Sequence, residues 1–218
     1  MTIERNMHTK TTDPMSEVEA LSTSETRARD VYANAQLTAL EDRGANYLVS
    51  GLHLHLCGPA GTGKTTMALQ IAARLQRPVT LLAGHSELTA ADLLGREVGS
   101  QSRQVVDSYI QSVRKTERET RSLWADGKLT EAMRHGHTLI YDEFSRAPAA
   151  TNNVLLMPLE ERKLSLTHPN SGNEEIQAHP EFRAIFTSNP GDYAGVETVA
   201  DALMDRMLTL PMIGHDQL

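Results

Sequence analysis

The chain has 218 residues, of which 39% are hydrophobic and 22% charged, and its formal net charge is −7. This length allows one well-buried α/β domain with a small appendage but is short for two full domains. The negative charge argues against nucleic-acid binding, which requires a basic field. A single cysteine excludes an internal disulfide, and no apolar run approaches the roughly 18 residues of a transmembrane helix. With no apolar core of a secretion signal at its start, the chain is predicted to be cytoplasmic.

The order of polar and apolar segments predicts a flexible arm followed by one domain. Residues 1–25 are rich in Thr, Ser, Glu and Met without a sustained hydrophobic period, which is typical of a mobile arm. The domain is predicted over 26–218, beginning with a helix at Ala28–Leu40 that stops by Gly44.

Five short apolar or β-prone runs, separated by helical patterns, follow that helix. We interpret them as strands, at Leu52–Cys57, Pro78–Leu82, Thr138–Tyr141, Ala184–Thr187 and Met207–Leu210. Runs of this length alternating with helices predict a parallel sheet covered by helices on both faces.

Two segments interrupt this alternation. An insertion at about 86–136 has its best helical pattern over Arg103–Glu119, where Val105, Tyr109 and Val113 recur at i, i+4, i+8. At about 162–180, two β-prone runs flank a stretch rich in Asn, Ser and Gly, which predicts a hairpin with a flexible tip. Both segments are consistent with partner-facing devices and with ordinary surface elaboration.

The most specific motif is a G-x-x-x-x-G-K-T loop between the first strand and a helical pattern. Its glycines let backbone N–H groups surround an anion, and the following helix adds the positive end of its dipole. Lys64 is predicted to contact the β- and γ-phosphates of ATP, and Thr65 to place its hydroxyl on Mg²⁺. The predicted nucleotide-binding residues are Gly58, Pro59, Ala60, Gly61, Thr62, Gly63, Lys64, Thr65 and Thr66.

Asp142 and Glu143 follow the third predicted strand, at the end of the strand where α/β sheets place their ligands. This is a Walker B arrangement when paired with a phosphate loop. Asp142 is predicted to hold Mg²⁺, directly or through water, and Glu143 to orient and deprotonate the attacking water.

Asn189 and Arg206 are two further candidate catalytic residues. Asn189 ends the fourth strand, where its amide can bond both the γ-phosphate and the lytic water, although an Asn before Pro190 also suits a simple turn. Arg206 precedes the fifth strand with no acid near it in the sequence except Asp205. It could reach a neighbouring subunit's γ-phosphate as an arginine finger, or be a solvated surface arginine.

Two pairs of histidines, His53 with His55 and His135 with His137, are spaced to lie on one side of a strand. Neither pair has the carboxylate or thiol spacing of a known metal site, so metal ligation is disfavoured.

Several stretches, together with the order of the motifs, resemble the gas vesicle protein N (GvpN) family, AAA+ ATPases of the MoxR-like branch. The resemblance covers about 28–212 and is carried by Leu81–Gly84, Asp92–Gly95, Trp124–Thr130, Leu139–Arg146, Asn152–Leu156 and Phe182–Val196. It implies a five-stranded sheet in the order 5-1-4-3-2 and a homo-oligomer, expected to be a hexameric ring. It also implies ATP-driven work on gas vesicle shell or accessory proteins during vesicle assembly and enlargement, and possible association with the vesicles. In this family the insertion and the hairpin tend to face the ring pore or the client protein.

The chain departs from the family pattern at its end. AAA+ proteins continue past the fifth strand into a helical lid with a second sensor arginine, whereas this sequence stops at Leu218. We therefore expect the lid to be absent, through truncation or loss, and hydrolysis to be weak.

Two other functions remain open. One is a MoxR-like chaperone that activates another enzyme together with a von Willebrand-type partner. The other is a nucleotide-gated scaffold that binds ATP to dock partners and turns over little.

Overall fold

The computed structural model describes residues 36–106, 116–168, 172–190 and 202–212, with only the backbone described over 100–106 and 116–122. The chain divides into two compact units, Met1–Glu41 and Asp42–Leu218. The first unit is described only over 36–41, which is helical, and the predicted arm at 1–25 lies outside the described residues.

The first described helix, α1, covers 36–49 and does not stop at Gly44 as predicted. Gly44 is where this helix meets the side chain of Ile71, because a Cβ on Gly44 would lie 2.7 Å from Ile71 Cδ1. The glycine thus permits close packing between helices and is not a terminator.

Five parallel strands form the central sheet, namely β1 (His53–Cys57), β2 (Val79–Ala83), β5 (Thr138–Asp142), β8 (Arg183–Ser188) and β9 (Met207–Pro211). They lie in the order β2-β5-β8-β1-β9. Numbered among themselves along the chain and read from the β9 edge, this order is 5-1-4-3-2. β1 and β8 are almost wholly buried, including the polar residues His53, His55, Thr187 and Ser188, and each has a neighbouring strand on both sides.

Short helices connect the strands. They are α2 (Lys64–Arg74), α3 (Ala90–Leu94), α4 (Lys128–His135), α5 (Ala149–Asn152) and α6 (Leu156–Glu160). Two 3₁₀ turns, Phe144–Arg146 and Asn153–Leu155, lie beside α5. α2 buries Met67, Ala68 and Ile71 at helical spacing, which is how a helix packs on a sheet. Because α2 follows the end of β1, its first turn lies where the parallel strands end. This end of the strands is called the carboxyl edge below.

The predicted helix at Arg103–Glu119 is wrong. Its ends belong to two long antiparallel strands, β3 (Gly95–Val106) and β4 (Thr116–Asp126), and 107–115 lies outside the described residues. The helix was predicted from apolar residues at helical spacing. The two strands are largely polar and have no alternating apolar pattern that would have indicated them. Among the residues of the insertion that the structure describes, those in helices lie near its two ends, in α3 and α4.

A second antiparallel pair, β6 (Lys163–His168) and β7 (Gly172–Gln177), lies where the hairpin is predicted. Leu164, Leu166 and Ile176 point into the core, so this hairpin has one buried face. It is therefore anchored to the body of the domain along its length.

Candidate functional site

The phosphate loop lies between the end of β1 and the start of α2, at the carboxyl edge. Gly61 and Gly63 have φ angles of +80° and +76°, which favour glycine. Gly58 packs against the backbone after β9, since a Cβ on it would lie 2.5 Å from the carbonyl oxygen of Met212. The Thr62 hydroxyl donates to the carbonyl of Pro59 over 2.9 Å and closes the turn. The motif glycines are therefore required by backbone geometry.

Lys64, the first residue of α2, folds back over the loop. Its Nζ donates to the carbonyls of Gly58 and Pro59 over 2.9 and 2.7 Å, and the residue is only 8% exposed. A cation is thus held against a turn of backbone at the positive end of an eleven-residue helix. Such a site favours a multiply charged anion.

Asp142, the last residue of β5, joins the loop to the neighbouring strand. Its Oδ1 accepts hydrogen bonds from the hydroxyls of Thr65 over 2.7 Å and Thr187 over 2.5 Å. Hydroxyl and carboxylate oxygens are the hard donors that Mg²⁺ prefers, so these residues suit that ion. Thr65 and Asp142, predicted as metal-binding residues from separate motifs, lie in direct contact.

Thr187 is a site residue that the sequence analysis missed. Its hydroxyl also accepts a hydrogen bond from the backbone N–H of Glu143 over 2.8 Å, so it connects both acidic positions. The available signal was register, because β8 lies beside β5 and the paired residues Tyr141 and Phe186 immediately precede Asp142 and Thr187.

Glu143 follows Asp142 in a left-handed backbone conformation, with φ of 52°. Gly84 at the end of β2 makes room for this turn, since a Cβ there would lie 2.2 Å from the carbonyl oxygen of Glu143. The Glu143 carboxylate forms an ion pair with Arg146 over 2.8 Å and keeps 39% of its side chain exposed. It is therefore solvent-accessible beside the Asp142 centre.

Asn189 lies next to the phosphate loop. The register pairs Ser188 with Cys57, so the following residues, Asn189 and Gly58, are neighbours across β8 and β1, and the N–H of Gly58 donates to the Ser188 carbonyl over 3.3 Å. Asn189 is half-buried. The structure thus brings four of the predicted site positions together, namely Lys64, Thr65, Asp142 and Asn189, with Glu143 adjoining them.

A buried histidine stabilises the strands beneath this edge. His55 Nε2 shares a hydrogen bond with Ser188 Oγ over 2.7 Å, and Nδ1 shares one with Thr209 Oγ1 over 3.0 Å. Burial lowers the pKa of His55 to about 4, so the ring is neutral at pH 7. His53 is also a core residue, accepting the N–H of Ala184 at its Nδ1 over 3.0 Å. Both residues of this pair therefore use ring nitrogens in the sheet.

Arg206 lies apart from the other predicted residues. It precedes β9, whose first residue, Met207, pairs with His53 at the start of β1, whereas the phosphate loop follows the end of β1. The length of β1 separates the two positions, about 13 Å for five residues. The sequence offered only Asp205 as an acid partner, but the structure pairs Arg206 with the distant Glu160. Arg206 therefore lies where the strands β1 and β9 begin, whereas its own phosphate loop lies at the carboxyl edge.

Within the ranges that the structure describes, no group of three or more His, Cys, Asp or Glu side chains is arranged to hold a metal ion. Among the helices described, none combines the length and apolarity needed to cross a membrane.

Comparisons with known proteins agree with this geometry. The gas vesicle ATPase GvpN of Ancylobacter aquaticus is 51% identical over 177 residues, which are 80% of this chain and 49% of that protein. Its counterpart from Haloferax mediterranei is 40% identical over 181 residues, 83% of this chain and 52% of that protein. Protein NorQ of Paracoccus denitrificans is 34% identical over 155 residues, 71% of this chain and 50% of that protein. The chain thus spans about half the length of the curated relatives it matches.

A crystal structure of a protein from Cytophaga hutchinsonii shares the fold, with a TM-score of 0.53 at 17% identity over 90% of this chain and 55% of that chain. The family profile of the AAA domain, dynein-related subfamily, matches residues 53–207, from the first to the last strand of the central sheet. The phosphate loop, the contact of Thr65 with Asp142 and this match lead to one conclusion: the chain belongs to the AAA domain family, in the dynein-related subfamily.

Proposed function

We propose that this chain is a Mg²⁺-dependent ATPase that works in a ring of subunits, expected to be a hexamer, and remodels client proteins during gas vesicle assembly and enlargement. The observation that carries the proposal is the contact between Thr65 at the phosphate loop and Asp142 at the end of β5, with Glu143 next to it. A phosphate loop alone binds nucleotide, whereas a loop joined to two strand-end carboxylates has the parts for hydrolysis.

The residues divide the work by charge. Lys64 and the N–H groups at the start of α2 neutralise the phosphates, and Thr65 with Asp142 would hold Mg²⁺. ATP with its metal supplies the reactive γ-phosphate when bound. Glu143, an accessible carboxylate, orients the attacking water and accepts its proton. Asn189 lies beside the loop, and its side-chain amide would bond the γ-phosphate and the attacking water.

Arg206 serves the site of an adjacent subunit. It lies where the strands begin, and the phosphate loop lies where they end, so Arg206 cannot reach the nucleotide of its own chain. An arginine that reaches a neighbour's γ-phosphate stabilises the transition-state charge and raises the rate by about 10³–10⁵. Its position supports shared active sites and hence a ring.

The client proposal depends on relatives. Proteins named gas vesicle ATPase match at 40–51% identity over about four-fifths of this chain. The two hairpins, β3–β4 and β6–β7, are the devices proposed to meet the client, since each is an antiparallel pair outside the five-stranded sheet. The relatives' names support gas vesicle shell or accessory proteins as clients.

The test is ATP hydrolysis per subunit across a range of protein concentrations, for the native chain and the variants Glu143→Gln, Arg206→Ala and Lys64→Ala. We expect specific activity to rise with concentration, to collapse in the first two variants with nucleotide binding retained, and to disappear in the third because binding is lost. Binding without hydrolysis in the native chain at every concentration would contradict the proposal. It would favour the nucleotide-gated scaffold, a function with which the ion pair of Glu143 and Arg146 is compatible.

A further inference from the structure

All three guanidinium nitrogens of Arg206 are bonded within its own chain. Nε and Nη2 both donate to Oε2 of Glu160, the first over 3.0 Å, and Nη1 donates to the carbonyl of Ala202. The Arg206 side chain is 26% exposed and that of Glu160 is 59% exposed. An arginine in this state must leave its carboxylate before it can contact another anion with the same two nitrogens.

Glu160 is fixed to the β6–β7 hairpin. It ends α6, and β6 begins three residues later at Lys163. Between them, the Arg162 carbonyl accepts hydrogen bonds from the N–H of Ala178 over 2.8 Å and the side chain of Gln177 over 3.1 Å, which joins the end of α6 to the end of β7. The hairpin, which is anchored in the core by Leu164, Leu166 and Ile176, therefore fixes the position of the carboxylate that holds Arg206.

We propose that Glu160 is a positioning residue that retains Arg206 in its own subunit and so competes with the γ-phosphate of the adjacent subunit. Loss of the Glu160 carboxylate should therefore make the arginine more available to the adjacent subunit. This inference rests on the proposed function, in which Arg206 acts on a neighbour's nucleotide. It adds a residue that sets the rate of hydrolysis at the interface between subunits.

The size of the effect follows from exposure. Ion pairs at the surface are weak because water solvates both partners, so release of Arg206 should change the rate about two- to five-fold and no more. Glu160 lies far from the nucleotide of its own chain, on the side of the sheet where Arg206 is found. Its removal should therefore change kcat and leave the KM for ATP unaltered.

The experiment compares Glu160→Gln with Glu161→Gln in the full chain, measuring kcat and KM for ATP at protein concentrations that saturate the activity. Glu161 is the adjacent exposed residue, so the two variants have the same change in charge and nearly the same position. We expect Glu160→Gln to raise kcat about two- to five-fold at constant KM, Glu161→Gln to match the native chain, and Glu160→Asp, which keeps the carboxylate, to lie close to native. An unchanged or lower kcat in Glu160→Gln, or an equal rise in Glu161→Gln, overturns the inference.

Arg206→Ala separates this inference from the proposed function. Loss of hydrolysis in Arg206→Ala with no rise in Glu160→Gln overturns the role of Glu160 and leaves the arginine finger intact. Full hydrolysis in Arg206→Ala overturns the arginine finger and with it the inference. The double variant Glu160→Gln/Arg206→Ala is expected to be as inactive as Arg206→Ala, because Glu160 acts only through that side chain.

Discussion

The hydroxyl of Thr65 donates a hydrogen bond over 2.7 Å to Oδ1 of Asp142, a residue 77 positions away in the sequence. The contact joins the first turn of α2 to the end of β5. α2 follows β1, and in the sheet only β8 lies between β1 and β5. Two oxygen donors suited to Mg²⁺ are therefore brought together by the fold before any ion binds.

Asp142→Asn should weaken Mg²⁺-dependent ATP binding by about ten- to a hundredfold, because an amide keeps the shape of the side chain but loses the charge that attracts the cation. The measurement is ATP affinity with and without Mg²⁺. Asp42→Asn, which alters an exposed acid paired with Arg74, serves as the control and should bind like the native chain. Equal Mg²⁺ dependence in Asp142→Asn and the native chain would exclude Asp142 as a metal-binding residue.

Glu143→Gln should lower kcat by about 10²–10⁴ and leave ATP affinity nearly unchanged, because the amide cannot accept the proton of the attacking water. Single-turnover hydrolysis and equilibrium binding measure the two quantities separately. Glu87→Gln, at an exposed position, is the matched control. Hydrolysis that survives in Glu143→Gln would assign the general base to another residue.

The free energy of unfolding should fall as the pH drops from about 6.5 to about 4, because burial lowers the pKa of both His53 and His55 to about 4. The positive charges of Arg162 and Arg183 lower the pKa of His53 further. In this window the unfolded chain binds protons that the folded chain does not, so each histidine costs up to about 3 kcal/mol at the acid end.

Urea titrations at about pH 7 and about pH 5 measure this slope. His55→Gln should reduce the loss of stability between the two conditions by about half, whereas His85→Gln, at an exposed position, should keep the native slope. A variant His55→Gln with the full native slope would show that His55 is not the group responsible.

Glu174→Gln should alter the fluorescence of Trp124, the single tryptophan in the chain. Glu174 accepts hydrogen bonds from His168 and Arg134, which lower its pKa, and the His168 ring packs edge-on against Trp124 with centroids 4.5 Å apart. Removing the carboxylate frees the His168 ring, so the emission of its neighbour should change. Glu175→Gln, on the exposed side of β7, should leave the spectrum unchanged.

In the native chain the part of this emission that depends on the Glu174 carboxylate should be constant above the ordinary pKa of a glutamate, about 4.3, and change as the pH falls below it. The folded pKa of Glu174 is lowered, so its hydrogen bonds are fully present above that value and are lost as the pH falls through the folded pKa. A fluorescence change that is centred well above this range would assign the transition to another group.

The parts of the site that the sequence could reveal are those encoded by neighbouring residues. The phosphate loop, Asp142 and Glu143 each follow a short strand within a recognisable motif, and parallel strands bring such ends to one edge. The Thr187 contact and the pair of Glu160 with Arg206 join residues distant in the sequence, so they depend on strand register and helix position. No local pattern encodes either contact.

The sequence did not reveal the β3–β4 ribbon, for a different reason. Alternating apolar residues indicate a strand only when one of its faces is buried. The largely polar sequence of 95–126 has no such alternation. The β6–β7 hairpin has that alternation, with Leu164, Leu166 and Ile176 buried, and its strands could be located from the sequence.

Under the proposed function, the opposite placement of the phosphate loop and Arg206 means that one active centre is built from two chains. With Arg206 acting between subunits, a pair of chains in contact completes one active centre and leaves the other without its arginine. An open arc of n chains completes n − 1 centres, and only closure of the ring gives every chain a complete one. Activity per chain therefore measures how many interfaces are closed. The first chain completes no centre, each chain added to the arc completes one, and the chain that closes the ring completes two.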